Sequence, residues 1–152
     1  MIILSKLADY GVIVATRLAA DPERQATAVA LADETRLPRA TVAKVLKALS
    51  HAGVVTGSRG AAGGYRLARD AARISVAEVV AAIDGAIGIT QCTAHVERCQ
   101  RTDFCPTRPH WQRINAAVGA ALAAVSLADM GRPSLPQVLL RSPPYTRPGV
   151  AP

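Results

Sequence analysis

Apolar residues in the first twenty positions fall at Leu7, Tyr10, Val14 and Leu18, the i, i+3, i+7, i+11 spacing of one helix face. Ser5 stands where an N-cap belongs, and Asp21-Pro22 marks the end. Asp9 lies off that stripe, alongside Val12, Ile13 and Thr16. Thr27 opens a shorter helix to about residue 36, and Leu37 and Pro38 make a turn. A third helix then runs from about Arg39 to Ala52 and is stopped by Gly53. Within it Val42, Val45, Leu46 and Leu49 form the buried stripe, while Ala40, Ala43, Lys44, Lys47 and His51 share the opposite face. Two short helices joined this tightly predict a helix-turn-helix.

The pattern then changes. "VVT" at 54–56 and "YRL" at 65–67 are short β-prone runs around "GSRGAAGG", which predicts a two-stranded hairpin with a glycine-rich tip. Helix, helix, hairpin is the order of a winged helix. Ser75 with Glu78 reads as a capping box before the apolar run of a fourth helix over 76–84, and Gly85 supplies its stop. A long helix is expected from residue 106 or 109 to 130, ending at Gly131, with Ile114, Val118, Leu122 and Val125 on one stripe. Its other side is largely Ala plus Gly119, suited to lying against a second chain. Six prolines in residues 132–152 predict an extended or disordered tail.

The fold class is therefore mainly α: a winged helix-turn-helix with a two-stranded wing and a long C-terminal dimerisation helix. The expected division is a winged-helix DNA-binding domain over 1–85, a cysteine-rich loop over 86–108, the dimerisation helix over 109–131 and the tail.

Composition narrows the core and the compartment. Half the 152 residues are hydrophobic but only 3% are aromatic, so the core must be Ala, Val, Leu and Ile on closely packed helices. The N-terminal run is interrupted by Lys6, Asp9 and Arg17, and the apolar stretch 116–128 is too short for a bilayer. A cytoplasmic protein with no membrane partner is expected.

The net charge of +7 favours a polyanionic partner. Its location decides which one. Residues 36–69 hold seven basic side chains, Arg36, Arg39, Lys44, Lys47, Arg59, Arg66 and Arg69, and no Asp or Glu. That run falls on the helix-turn-helix and hairpin, which points to double-stranded DNA. Candidate contacts are Arg39, Ala40, Thr41, Lys44 and Lys47 on the helix, with Ser58, Arg59, Gly60 and Tyr65 on the hairpin. "GSRGAAGG" is no phosphate-cradling loop, since neither Lys-Ser, Lys-Thr nor a helix follows it.

All three cysteines lie in "QCTAHVERCQRTDFCPTRPHW", residues 91–111, spaced Cys92-x6-Cys99-x5-Cys105 with His95 and His110 nearby. An odd cysteine count in a reducing compartment argues against a disulfide framework. Three soft thiolates suit zinc, copper(I) or an iron–sulfur cluster, and a tetrahedral centre needs a fourth ligand. Arg98, Arg101, Arg108 and Arg113 would offset an anionic cluster. A thiol enzyme lacks an oxyanion site or an orienting third group in this sequence, so no enzymatic activity is expected.

The chain resembles the family of winged-helix iron–sulfur regulators that includes IscR, NsrR and RirA. The resemblance is carried by "LSKLADYGV", "LAD" at 31–33, "RGAAGGYRLARD" at 59–70, "ISVAEVVAAIDG" at 74–85 and the cysteine triplet. "CPTRPHW" at 105–111 is similar to the branch controlling the Suf iron–sulfur assembly system. The resemblance implies a homodimer on the long helix and Cys92, Cys99 and Cys105 as ligands of a [2Fe-2S] or [4Fe-4S] cluster. The IscR pattern places a histidine ligand three residues after the last cysteine, where this chain has Arg108. NsrR-like members use an aspartate from the first helix of the other protomer, which matches Asp9. The order of candidates for the fourth ligand is Asp9, His110, His95. The implied function is a repressor sensing cluster status and controlling cluster assembly genes; the alternative is a zinc-stabilised or thiol-redox regulator without a cluster.

Overall fold

The computed structural model describes residues 4–60, 63–94, 99 and 104–132. Helix α1, Lys6–Ala19, begins where Ser5 Oγ accepts the Ala8 N–H at 3.0 Å. The same hydroxyl donates to Asp84 at 2.6 Å, tying the start of α1 to a later helix. Ala8, Gly11, Val12, Val14, Ala15 and Leu18 are buried, while Leu7 and Tyr10 are half-buried. Val12, expected on the outer side with Asp9, thus belongs to the core. The reason is tertiary: α1 is packed by several helices, so its buried surface is wider than one stripe.

Helix α2, Ala28–Thr35, is capped by Thr27, and its end is made by Arg36 in the left-handed conformation at φ 56°. Helix α3, Arg39–His51, follows directly. Val42, Val45, Leu46 and Leu49 are completely buried, as their spacing predicts. Strands β1, Val55–Ser58, and β2, Gly64–Leu67, pair antiparallel with Val55 opposite Leu67 and Ser58 opposite Gly64. Ala26 joins them as a bridge, exchanging backbone hydrogen bonds with Tyr65 at 2.8 and 3.0 Å. A side chain at Gly64 would meet the Ala26 backbone at 2.9–3.1 Å, so glycine permits this third pairing.

After a 3₁₀ turn, Ala71–Arg73, helix α4 spans Val76–Asp84 with the reciprocal Ser75/Glu78 capping box, and Gly85 at φ 83° closes it. Helix α4 lies against α1, with the tip of Ile83 seated over Gly11, where a methyl would require that side chain to shift. A short helix α5, Gln91–Ala94, carries Cys92.

The single helix expected through residue 130 is two. Helix α6 is Arg108–Ala123 and helix α7 is Leu127–Met130. Between them Val125 accepts the Val76 N–H and Leu127 donates to the Ile74 carbonyl, each at 2.9 Å. Ser126 then starts α7 with its own capping box to Asp129. Leu127 is completely buried in the core of the winged unit. Sheet-like pairing and a fresh cap therefore override helix continuation.

Among the described residues no helix is long and apolar enough to cross a membrane. The tail from residue 133 lies outside the described residues.

Candidate nucleic-acid interface and cysteine segment

Burying the Val42, Val45, Leu46, Leu49 stripe turns the rest of α3 outward. Arg39, Ala40, Ala43, Lys44 and Lys47 are exposed, and Thr41 is half-buried. No acidic residue sits in the first turn of α3, and no side chain caps it; the Pro38 carbonyl accepts from Thr41 and Val42 instead. All seven basic residues of 36–69 occupy exposed positions. Arg39 reaches Asp33 at 3.5 Å and Arg69 reaches Glu78 at 2.6 Å. Both pairs are solvated, so Arg39 is held only weakly and can exchange its partner. Arg36, Lys44, Lys47, Arg59 and Arg66 make no ion pair among the described residues.

The wing presents Ser58, Arg59 and Gly60 to solvent, with Gly60 at φ 113° and its carbonyl accepting the Gly63 N–H at 2.9 Å. Ser58 donates to Gln25 at 2.6 Å. Tyr65 is placed differently from the other hairpin candidates: it is half-buried, rests over Gly57 and packs on the core. Residues 61–62 of the wing tip lie outside the described residues.

Arg24, which the sequence reading did not single out, forms an ion-pair group with Arg17 and Glu34. Arg24 and Arg17 approach Glu34 at 2.6 and 2.7 Å. The Arg24 hydrogen bond holds the Glu34 carboxyl below its ordinary range, and Glu34 raises Arg24 in return. Charge spacing alone hid it, because the partners sit on α1, α2 and the loop between them.

The three cysteines carry thiols, with no disulfide among them. Cys92 is buried at 7% exposure, its Sγ 3.2 Å from Thr90 Oγ1. Cys99 and Cys105 are half-buried, and Cys105 Sγ lies 3.3 Å from Thr107 Oγ1. This donor set has the soft chemistry that a cluster or zinc takes. Among the described residues, however, no three of His, Cys, Asp and Glu converge to hold a metal ion. Asp9 is exposed on α1 and lines a groove with Val12, Ile13, Thr16, Met130 and Gly131; His110 is exposed in the first turn of α6. His95, Arg98 and Arg101 lie outside the described residues.

Helix α6 buries none of its sixteen residues. Trp111 and Ile114 are exposed, with Val118 and Leu122 half-buried further along.

Comparison with known proteins gives this arrangement a family. The profile Rrf2, described as an iron-dependent transcriptional regulator, matches residues 4–133. The HTH-type transcriptional regulator IscR of Xenorhabdus nematophila is 40% identical over 78 residues, covering 51% of this chain and 47% of that protein. The chain thus spans about half the length of the relatives it matches. The structure of CymR (YrzC), the global cysteine regulator of B. subtilis, superposes with a TM-score of 0.69 at 25% identity, over 86% of this chain and 97% of that one. T. potens IscR superposes with a TM-score of 0.67 at 26% identity, over 85% of each chain. With all the described helices, both described strands and all three cysteines inside the matched span, the chain belongs to the Rrf2 family of transcriptional regulators.

Proposed function

We propose that the chain acts as a homodimeric repressor that binds double-stranded DNA and senses iron–sulfur cluster status, controlling cluster assembly genes of the Suf type. The observation that carries this reading is the acid-free segment 36–69, whose seven basic residues are all exposed on α3, its leading turn and the wing. In the major groove, Ala40 and Ala43 permit close approach, and Thr41, Lys44 and Lys47 reach phosphates or base edges. Arg59, beside Ser58 and Gly60, reaches the minor groove, and Tyr65 supports the wing from its inner side. Arg39 exchanges Asp33 for a phosphate at little cost.

Support for the dimer comes from α6. Its sixteen residues make a rod about 24 Å long in which no residue is fully buried; Leu122 packs on the core of its own chain, while Trp111 and Ile114 stand exposed. A second copy covers Trp111 and Ile114. Cys92, Cys99 and Cys105 hold the cluster, and Asp9 of the partner subunit is the first choice for the fourth ligand, with His110 next. A bound cluster supplies a redox- and ligand-responsive group. The protein's part is to let one cysteine-segment conformation favour one spacing of the two α3 helices, since only differential stabilisation shifts an equilibrium.

The test is anaerobic purification followed by a visible spectrum, with iron, acid-labile sulfide and zinc assayed on the same sample. Charge-transfer bands with matching iron and sulfide are expected. A colourless protein with stoichiometric zinc, and no uptake of iron and sulfide on reconstitution, refutes the sensing role and leaves a zinc-stapled DNA-binding module.

A further inference from the structure

Asn115 stands on the same helix as the apolar stripe, yet its side chain faces back into its own chain. Its Oδ1 accepts the Ile89 N–H at 3.0 Å and its Nδ2 donates to the Ile87 carbonyl at 3.0 Å. Both halves of the carboxamide are thus spent on one turn of backbone, which leads directly into Cys92. A carboxamide carries its acceptor oxygen and its donor NH2 on separate atoms, so it can serve an N–H and a carbonyl two residues apart at once.

The turn it grips is built for close contact. Gly88 lies between the two gripped residues, and a side chain there would collide with Ala94 of α5, the helix carrying Cys92. Thr90 follows: its N–H donates to Thr93 Oγ1 at 3.0 Å and its hydroxyl lies 3.2 Å from Cys92 Sγ. Asn115 therefore fixes 87–89, Gly88 lets that turn seat on α5, and Thr90 meets the thiol. Cys92 is the most deeply buried of the three cysteines.

We infer that Asn115 is the positioning residue for Cys92, clamping the start of the cysteine segment to α6 so that displacement of one is transmitted to the other. The clamp would make α6 the first element to respond to a change at Cys92. That consequence rests on the proposed function, whereas the sheltering of the thiol does not.

The experiment is site-resolved alkylation of the reduced full-length apo protein by limiting iodoacetamide, followed by peptide mass spectrometry, for the unaltered chain and for Asn115→Ala, Asn115→Asp and Gly88→Ala. Asn115→Ala is expected to speed Cys92 alkylation about tenfold with Cys105 changed less than about twofold, because local opening governs access to a buried thiol. Asn115→Asp keeps the acceptor for Ile89 and should fall between; Gly88→Ala should reproduce the Cys92 effect from the opposite side of the contact. An unchanged Cys92 rate in Asn115→Ala, or equal acceleration at all three cysteines, overturns the assignment. Reconstitution of the unaltered chain with iron and sulfide is run beside it. Failure there refutes the cluster reading while leaving the alkylation result to decide the clamp.

Discussion

Glu78 shows how much one side chain does at the residue scale. It closes the α4 capping box through Ser75 and pairs with Arg69 at 2.6 Å. The Arg69 hydrogen bond, then the Ser75 backbone N–H, hold its carboxyl below the ordinary carboxylate range. A lowered folded-state pKa contributes stability that is present above the unfolded value and lost as pH falls through the folded one. Melting temperature should therefore drop on acidification below the ordinary glutamate range, and Glu78→Gln should flatten that limb; an unchanged acid limb contradicts the linkage. On the proposed DNA-facing side, Lys44→Ala with Arg59→Ala should weaken duplex binding at least about tenfold and reduce the log–log salt slope by about 4, two cations from each protomer of the dimer, read by fluorescence anisotropy across a salt series. The capping box and the basic run are legible in sequence because each is local. The Glu34 group and the Asn115 clamp are not, since their partners are distant in the chain and polar spacing does not encode them.

At the scale of elements, the break between α6 and α7 is the main departure from periodicity. Apolar spacing from Ile114 to Val125 continues smoothly, so pattern alone predicts one helix through residue 130. The Ser126/Asp129 box is visible in the sequence, but it decides the outcome only because Ile74 and Val76 offer backbone partners there. Leu127→Ala should cost about 2–5 kcal/mol in urea unfolding, as for a fully buried leucine, and Ser126→Ala about 1 kcal/mol. A Leu127→Ala cost below about 0.5 kcal/mol would mean that α7 does not belong to the winged unit. Helix α6 should behave in the opposite way. Ile114→Asp is expected to leave thermal stability of the winged unit within about 0.5 kcal/mol, because the position is exposed within the chain, while shifting sedimentation from dimer to monomer. Retention of the dimer would place the interface elsewhere.

For the whole molecule, the proposed dimer joins two basic faces, so protection on DNA should fall in two half-sites one helical turn, about 10 base pairs, or a multiple apart. A single half-site footprint at saturating protein contradicts it. The sequence by itself determined the order of helices and wing, the buried stripe of α3, three of the helix caps and the pairing of a basic segment with a cysteine cluster. These are written in neighbouring residues, where spacing, caps and turn chemistry act directly. Only the tertiary structure decided that Val12 faces inward, that Tyr65 packs beneath the wing while Arg59 projects from it, that Leu127 returns to the core, and that Trp111 and Ile114 on α6 stay exposed. Each of those outcomes depends on which surfaces meet, and burial against a distant segment outweighs the modest preferences that local sequence can express.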